Sequence, residues 1–249
     1  MNSNTSAKQM KSEDPKAMTL WGHLDELRKR ILYALIGLAV GVVISISFSD
    51  PILALLASPI GGFEGLQSIE VTENIGVFMR VVLLSGFIVA LPFILIQLYL
   101  FIAPAMKKEE RRWILVGVPL AVILFVIGAA FSYLVMLPAA IPVLIQFKGP
   151  QVLPRWSDYV KFTTNLVFWV GLSFELPLVA YLLAKLGIIT AQQLLKGWRI
   201  AIVVIAVAAA VITPTGDPIN MALLMLPLLI LYGLSILLAS IAKKKSVEE

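Results

Sequence analysis

The chain has 249 residues, of which 59% are hydrophobic and 14% charged, and a mean hydropathy of +0.94. That balance is far too apolar for a soluble domain and places the chain among membrane proteins. The absence of cysteine excludes a disulfide framework and thiolate chemistry, and a single histidine excludes a His-rich metal cluster.

The first 18 residues are polar and rich in Lys, Ser and Asn, and read as a disordered tail. Next comes HLDELRKRI, His23–Ile31, directly before the first apolar run, Ile31–Phe48. At 18 residues this run exceeds the core of a signal peptide, and no small-residue cleavage site follows, so it reads as a retained span. Leu20, Leu24, Leu27 and Ile31 make one apolar stripe on a helix. Asp25 and Glu26 stand four residues before Lys29 and Arg30, a spacing that favours ion pairs. Two readings stay open for this stretch. One is an interfacial helix with a solvated charged face. The other is a binding site, because a membrane anchor needs no carboxylates.

The second run is about Val77–Leu100, with Arg80 near one end and Gln97 near the other. The connection FIAPAMKKEERRW, Phe101–Trp113, repeats the earlier theme, with Glu109 and Glu110 preceding Arg111 and Arg112. It too reads either as a loop with local ion pairs or as one half of an acidic site. Two carboxylates held apart suit a peptide bearing two guanidinium groups, since each guanidinium pairs bidentately with a carboxylate. The third run is Trp113–Leu137 and the fourth Phe162–Leu183. Glu175, in GLSFELP, interrupts the middle of the fourth, where a charge costs several kcal/mol unless it is neutral, paired or hydrated. Pro177 frees a backbone carbonyl one turn earlier. Glu175 therefore reads as a partner or conduction site, or as a carboxyl that fixes helix packing. The fifth run, Ile200–Ile212, has 13 residues and reaches roughly 20 Å. The sixth is Ile219–Ile241, joined to the fifth through TPTGDP, in which Asp217 reads as a helix cap.

Six spans put both termini on one side. The N-terminal segment, the second-to-third and fourth-to-fifth connections and the C-terminal tail hold 16 of the 20 Lys and Arg residues. Only Arg80, Lys148, Arg155 and Lys161 fall opposite, so both termini are expected in the cytoplasm. Topology accounts for the basic balance, which removes the support for a nucleic-acid partner. The outer connections, 49–76 and 138–161, are expected to be partly helical caps. No internal repeat of the kind common in secondary transporters is visible. No Walker sequence, GxGxxG, HExxH or Ser/His/Asp set occurs, so neither an enzyme nor a cofactor is expected.

In HLDELRKRI, FIAPAMKKEERR, GLSFELP and the TP-x-x-D-like turn before the last span, the chain resembles the TatC family, the core receptors of the twin-arginine protein translocase. The resemblance covers residues 19–242, leaving 1–18 and 243–249 as tails. It implies an all-α polytopic membrane protein of six spans, the fifth and sixth short, in the cytoplasmic membrane of a prokaryote. It further implies binding of twin-arginine signal peptides, self-association, recruitment of TatA- and TatB-like single-span partners, and export of folded proteins on the protonmotive force. By the same resemblance Glu26, Arg28, Arg30, Phe101 and Glu110 form the signal-peptide site. Glu175 and Gln97 form an intramembrane polar or partner site, and Pro59, Pro104 and Asp217 shape turns and caps. Two departures stand. The turn TPTGD is one residue longer than the family's TPPD, and Gly233 follows Tyr232 where members carry a glutamate. A proton-coupled small-solute transporter using Glu175 is the alternative function.

Overall fold

The computed structural model describes residues 20–103, 112–146, 154–213 and 218–244. The described residues form α-helices joined by short turns, with one isolated parallel bridge between Gln67 and Arg155. With no water to satisfy a backbone inside lipid, helices meet that need from within.

Helix α1, Leu20–Ile46, runs the charged lead-in and the first apolar run together as one 27-residue helix. A short α2, Ser49–Ala57, and two 3-10 turns follow at its far end. Pro59 sits in the first of these turns, and Gly61 and Gly62 take positive φ (89° and 87°), where L side chains are strained. Helix α3, Glu73–Ile102, returns to the starting end. Helices α4, Arg112–Phe131, and α5, Leu137–Gln146, are joined by a π-turn over Ser132–Met136, in which Leu137 N donates to Ser132 O. Pro138 follows at once, and its missing N–H suits a place where the regular ladder is already broken. Together these segments form one apolar span over Val116–Val143.

The fourth span is two helices, α6, Trp156–Ser173, and α7, Leu176–Lys185. Phe174 and Glu175 form the break, because Pro177 cannot donate to the turn before it. The whole span covers Trp156–Lys185, so Glu175 lies in its second half and not, as the apolar run alone suggests, at its middle. A capping box, with Thr190 N donating to Gln193 Oε1 (2.8 Å) and Gln193 N to Thr190 Oγ1 (3.2 Å), starts the short α8, Ala191–Lys196. Helix α9, Trp198–Ile212, has 15 residues, or roughly 22 Å. It ends at Thr213, which precedes a proline and is extended (φ −79°, ψ 117°). Helix α10, Pro218–Lys244, has 27 residues. The expectation of two short final spans therefore holds for α9 and is corrected for α10. Proline opens that helix at a position that needs no N–H, and neither Pro227 nor Gly233 ends it.

Among the described residues, five helical segments are long and apolar enough to cross a membrane, with α9 as a shorter apolar helix among them. The protein is a multi-pass membrane protein. Many large apolar side chains face outward, including Ile36, Val40, Val43 and Leu83 on α1 and α3, as expected where lipid is the solvent. Three apolar clusters hold the bundle. The largest joins Leu137, Phe162, Leu166, Ile205, Ala209 and Leu224, from α5, α6, α9 and α10. A second, at the far end, joins Leu56, Val77, Val81, Trp156 and Val160. A third packs Ala184 of α7 against Ala239 and Ala242 of α10. Helix α1 belongs to none of these clusters and rests chiefly on α3.

That seam is built from small residues. A Cβ at Gly41 meets the Gly86 carbonyl oxygen and lies 3.0 Å from Ala90 Cβ, and one at Gly86 lies 2.7 Å from Val42 Cα. Gly37 is covered by the Phe93 ring, and Ser45 and Ser85 hydrogen-bond through their hydroxyls. Small residues at four-residue spacing let backbones approach where no hydrophobic force drives helices together.

Candidate functional site

The seam places the lead-in of α1 beside the C-terminal turns of α3. Glu26 and Arg30 lie on one helix face and form the predicted i,i+4 pair. Arg30 Nε donates to Glu26 Oε1 (2.7 Å), and Arg30 Nη2 is 2.6 Å from the same oxygen. Arg30 Nη1 reaches across to α3 and donates to Gln97 Oε1 (3.2 Å). Gln97 is buried, and Glu26 and Arg30 are half-buried. One helical turn further along α3, the Phe101 ring stacks on His23 with centroids 4.4 Å apart and planes 24° apart. Such stacking contributes about 0.5–1.5 kcal/mol.

Five side chains from two helices therefore converge at one end of the bundle. All the contacts to Glu26 fall on Oε1, and among the described residues Oε2 takes neither a hydrogen bond nor an ion pair. The cluster offers a carboxylate oxygen oriented by an arginine, next to an aromatic platform, at the mouth of the connection that Phe101 begins.

Of the predicted site residues, the structure brings Glu26, Arg30 and Phe101 together. Arg28 is exposed and forms no ion pair among the described residues. Gln97, grouped from the sequence with Glu175, instead joins the Glu26 cluster through Arg30. Pro104, Glu110 and Asp217 lie outside the described residues. Glu175 is buried at the α6–α7 break, and its Oε1 has no hydrogen-bond partner among the described residues. Glycines pack α4 tightly against the turn before it: Gly128 against Phe174, and Gly171 against Phe125.

His23 and Glu73 escaped the sequence reading. The signal for His23 was its four-residue spacing to Leu27 and its distance of one turn from Glu26, but its aromatic partner is on another helix. Glu73 is the buried centre of a cap at the opposite end. Its carboxylate accepts from the backbone N–H of Ile69 (2.9 Å), Glu70 (3.3 Å) and Ser157 (2.7 Å). It thereby satisfies orphan donors of the α6 N-terminus and of the preceding loop. Arg155 seals the cap, with Nη2 2.8 Å from Glu70 Oε1 and Nε 3.3 Å from Glu73 Oε2. The hydrogen bond to Glu70 first, then the contact with Glu73, raises the Arg155 guanidinium above its ordinary pKa. Gln67 N donates to Pro154 O (3.1 Å) and Trp156 N to Gln67 O (2.8 Å), so the two far-end connections are stapled to each other.

Comparison with known proteins places this arrangement. Residues 22–227 match the family model "TatC: Sec-independent protein translocase protein (TatC)". A "Sec-independent protein translocase protein TatC" of Carboxydothermus hydrogenoformans is 38% identical over 235 residues, 93% of this chain and 97% of that one. The protein of the same description from Deinococcus radiodurans is 35% identical over 239 residues, covering 92% and 88%. A chloroplastic relative from Pisum sativum is 35% identical over 223 residues, covering 88% and 63%. A crystal structure of "Twin Arginine Translocase Receptor- TatC" superposes with a TM-score of 0.79 at 34% identity, over 88% of this chain and 99% of that one. By sequence over most of its length and by fold, the chain belongs to the TatC family of Sec-independent protein translocase components, which are not enzymes.

Proposed function

We propose that this chain is the receptor for twin-arginine signal peptides in a translocase of a prokaryotic cytoplasmic membrane, with both termini in the cytoplasm. The observation that carries this reading is the Glu26–Arg30–Gln97 cluster beside the His23–Phe101 stack. Arg30 holds Glu26 in one rotamer and leaves Oε2 for an incoming guanidinium, so no side-chain ordering is needed when a peptide arrives. A second guanidinium goes to Glu110, which follows Phe101 and Pro104 in the same connection. Arg30, with Arg28 on the exposed face, disfavours cations that cannot reach a carboxylate directly.

Helices carrying the docked peptide are then joined by TatA- and TatB-like single-span partners and further copies of this chain, and folded cargo crosses on the protonmotive force. Glu175 supplies the polar contact for a partner helix: it is buried at a helix break, and its Oε1 has no hydrogen-bond partner among the described residues. Membership of a translocase family supports this reading of Glu175 over that of a solute transporter. Pro59 shapes the first 3-10 turn at the opposite end.

Binding of a fluorescent twin-arginine signal peptide to the purified chain in mild detergent tests the receptor reading. Glu26→Ala is expected to weaken binding about tenfold or more, as loss of one charge-assisted pair does. Substituting Lys for both arginines of the peptide has a comparable effect, since lysine cannot pair bidentately. Undiminished binding by a Glu26→Ala, Glu110→Ala double variant refutes the two-carboxylate site.

A further inference from the structure

The end of the bundle opposite Glu26 carries a second polar feature that the receptor reading leaves unused. An open lateral groove of about 490 Å³ runs between α1, α3 and α6, walled by Leu38, Leu84, Phe87 and Phe168. At its outer end lies Arg80, one turn into the α3 span from Gly76, with Nη1 donating to Asn165 Oδ1 (3.3 Å). Arg80 is half-buried and forms no ion pair among the described residues. A second, polar hollow of about 260 Å³ adjoins the groove through Gly76 and Arg80, and holds Asp158, Lys161 and the Glu70–Glu73–Arg155 cap.

These observations fit one chemistry. An arginine within a span is costly unless it is paired, hydrated or reaches the interface, and near the outer end of α3 the lipid phosphate layer is the anion within reach of Arg80. The nearby carboxylates of Glu70 and Glu73 are taken by Arg155 and by backbone N–H groups. Asp158 is exposed and stands three residues from the exposed Lys161 on the same helix. The guanidinium therefore faces an open groove whose walls, apart from Asn165 and Thr164, whose hydroxyl donates to Val160 O, are apolar. A phosphodiester on Arg80, continued by acyl chains along Leu38, Leu84, Phe87 and Phe168, satisfies both halves at once. We propose that this groove is a binding site for a membrane phospholipid, with its phosphate on Arg80 and Asn165 and its acyl chains against α1 and α6. Such a lipid also braces α1, which otherwise rests chiefly on α3.

Native mass spectrometry of the full chain in mild detergent tests this, with palmitoyl-oleoyl phosphatidylglycerol, diacylglycerol of the same chains, or inorganic phosphate as probes. Phosphatidylglycerol is expected to stay bound about tenfold more than diacylglycerol, the difference being the charge-assisted contact. Arg80→Gln removes most of that preference. Gly76→Leu keeps the arginine but fills open space at the groove mouth, where an added Cβ meets nothing within 4 Å, and it is expected to exclude the lipid. That change also raises helix propensity, so a folding failure is not the expected cause of lost binding. Helix content and elution volume check the fold of both variants. Lipid retention unchanged in both variants overturns the proposal. So does equal retention of diacylglycerol, displacement of the lipid by inorganic phosphate at equal concentration, or a copurified protein helix found in the groove instead.

Discussion

Substituting Gly41 by Leu attacks the proposed recognition site from a distance of several helical turns. A Cβ at residue 41 meets the Gly86 carbonyl oxygen and lies 3.0 Å from Ala90 Cβ, both on α3. Carbon contacts are comfortable at about 3.5–4.0 Å, so the helices must part by about 1 Å for the Cβ alone, and further for the rest of the leucine. The obstruction is backbone, which cannot swing away as a side chain does. Overpacking of this kind costs about 1–3 kcal/mol. Because α1 rests chiefly on α3, no other contact surface takes up the loss.

The consequence is felt at residues 23–30, which reach Gln97 and Phe101 only while α1 is seated. The chain is free of cysteine, so His23→Cys and Phe101→Cys can be paired with a short bifunctional thiol linker on an otherwise unaltered background. In the Gly41→Leu variant, linking at this pair is expected to slow, thermal stability in detergent to fall, and twin-arginine peptide binding to weaken in parallel. Gly233→Leu is the control, since a Cβ there meets nothing within 4 Å. If Gly41→Leu links, melts and binds like Gly233→Leu, the small-residue seam does not position the site and the reasoning fails.

Three further outcomes follow from individual contacts. Glu73→Gln keeps the volume but loses the charge that faces three backbone N–H groups and Arg155. Hydrogen exchange at Ile69, Glu70 and Ser157 is expected to accelerate, and unaltered protection at all three contradicts the capping role. Tyr232→Phe removes the hydroxyl that donates to Leu194 O (2.6 Å) and ties α10 to α8, at a cost of about 1 kcal/mol by thermal unfolding. Pro177→Ala returns an N–H to the turn before Glu175, so α6 and α7 should join, and deuterium uptake over residues 173–177 should fall if the proline causes the break.

Helices were legible in the sequence because apolar runs have only one way to satisfy their backbones in lipid. Where the reading slipped, a local pattern stood in for a three-dimensional one. Gln97 lies within an apolar run, so it reads as intramembrane. Its partner, Arg30, is on a different helix, and only the seating of α1 brings the two together. Glu73 falls unremarked in the outer connection 49–76, since its meaning lies in Ser157 and Arg155, far along the chain. The apolar run Ile219–Ile241 is long enough for a full span, which the resemblance to a family with two short final spans does not convey.

The small-residue spacing Gly37, Gly41, Ser45 shows why a motif around Glu26 is insufficient by itself. Glu26 and Arg30 pair within one helix, and an isolated pair of this kind contributes only about 0.3–0.5 kcal/mol. What distinguishes the site is that Gln97 and Phe101 meet that helix at a fixed height, and that height is set where Gly41 abuts Gly86 and Ser45 bonds Ser85. The carboxylate is written in the lead-in, its position in the glycines. A chain with HLDELRKRI intact and a bulky residue at Gly41 or Gly86 keeps the chemistry and loses its placement. On the proposed function, loss of peptide binding there therefore belongs with loss at Glu26, although neither glycine lies in the Glu26 cluster.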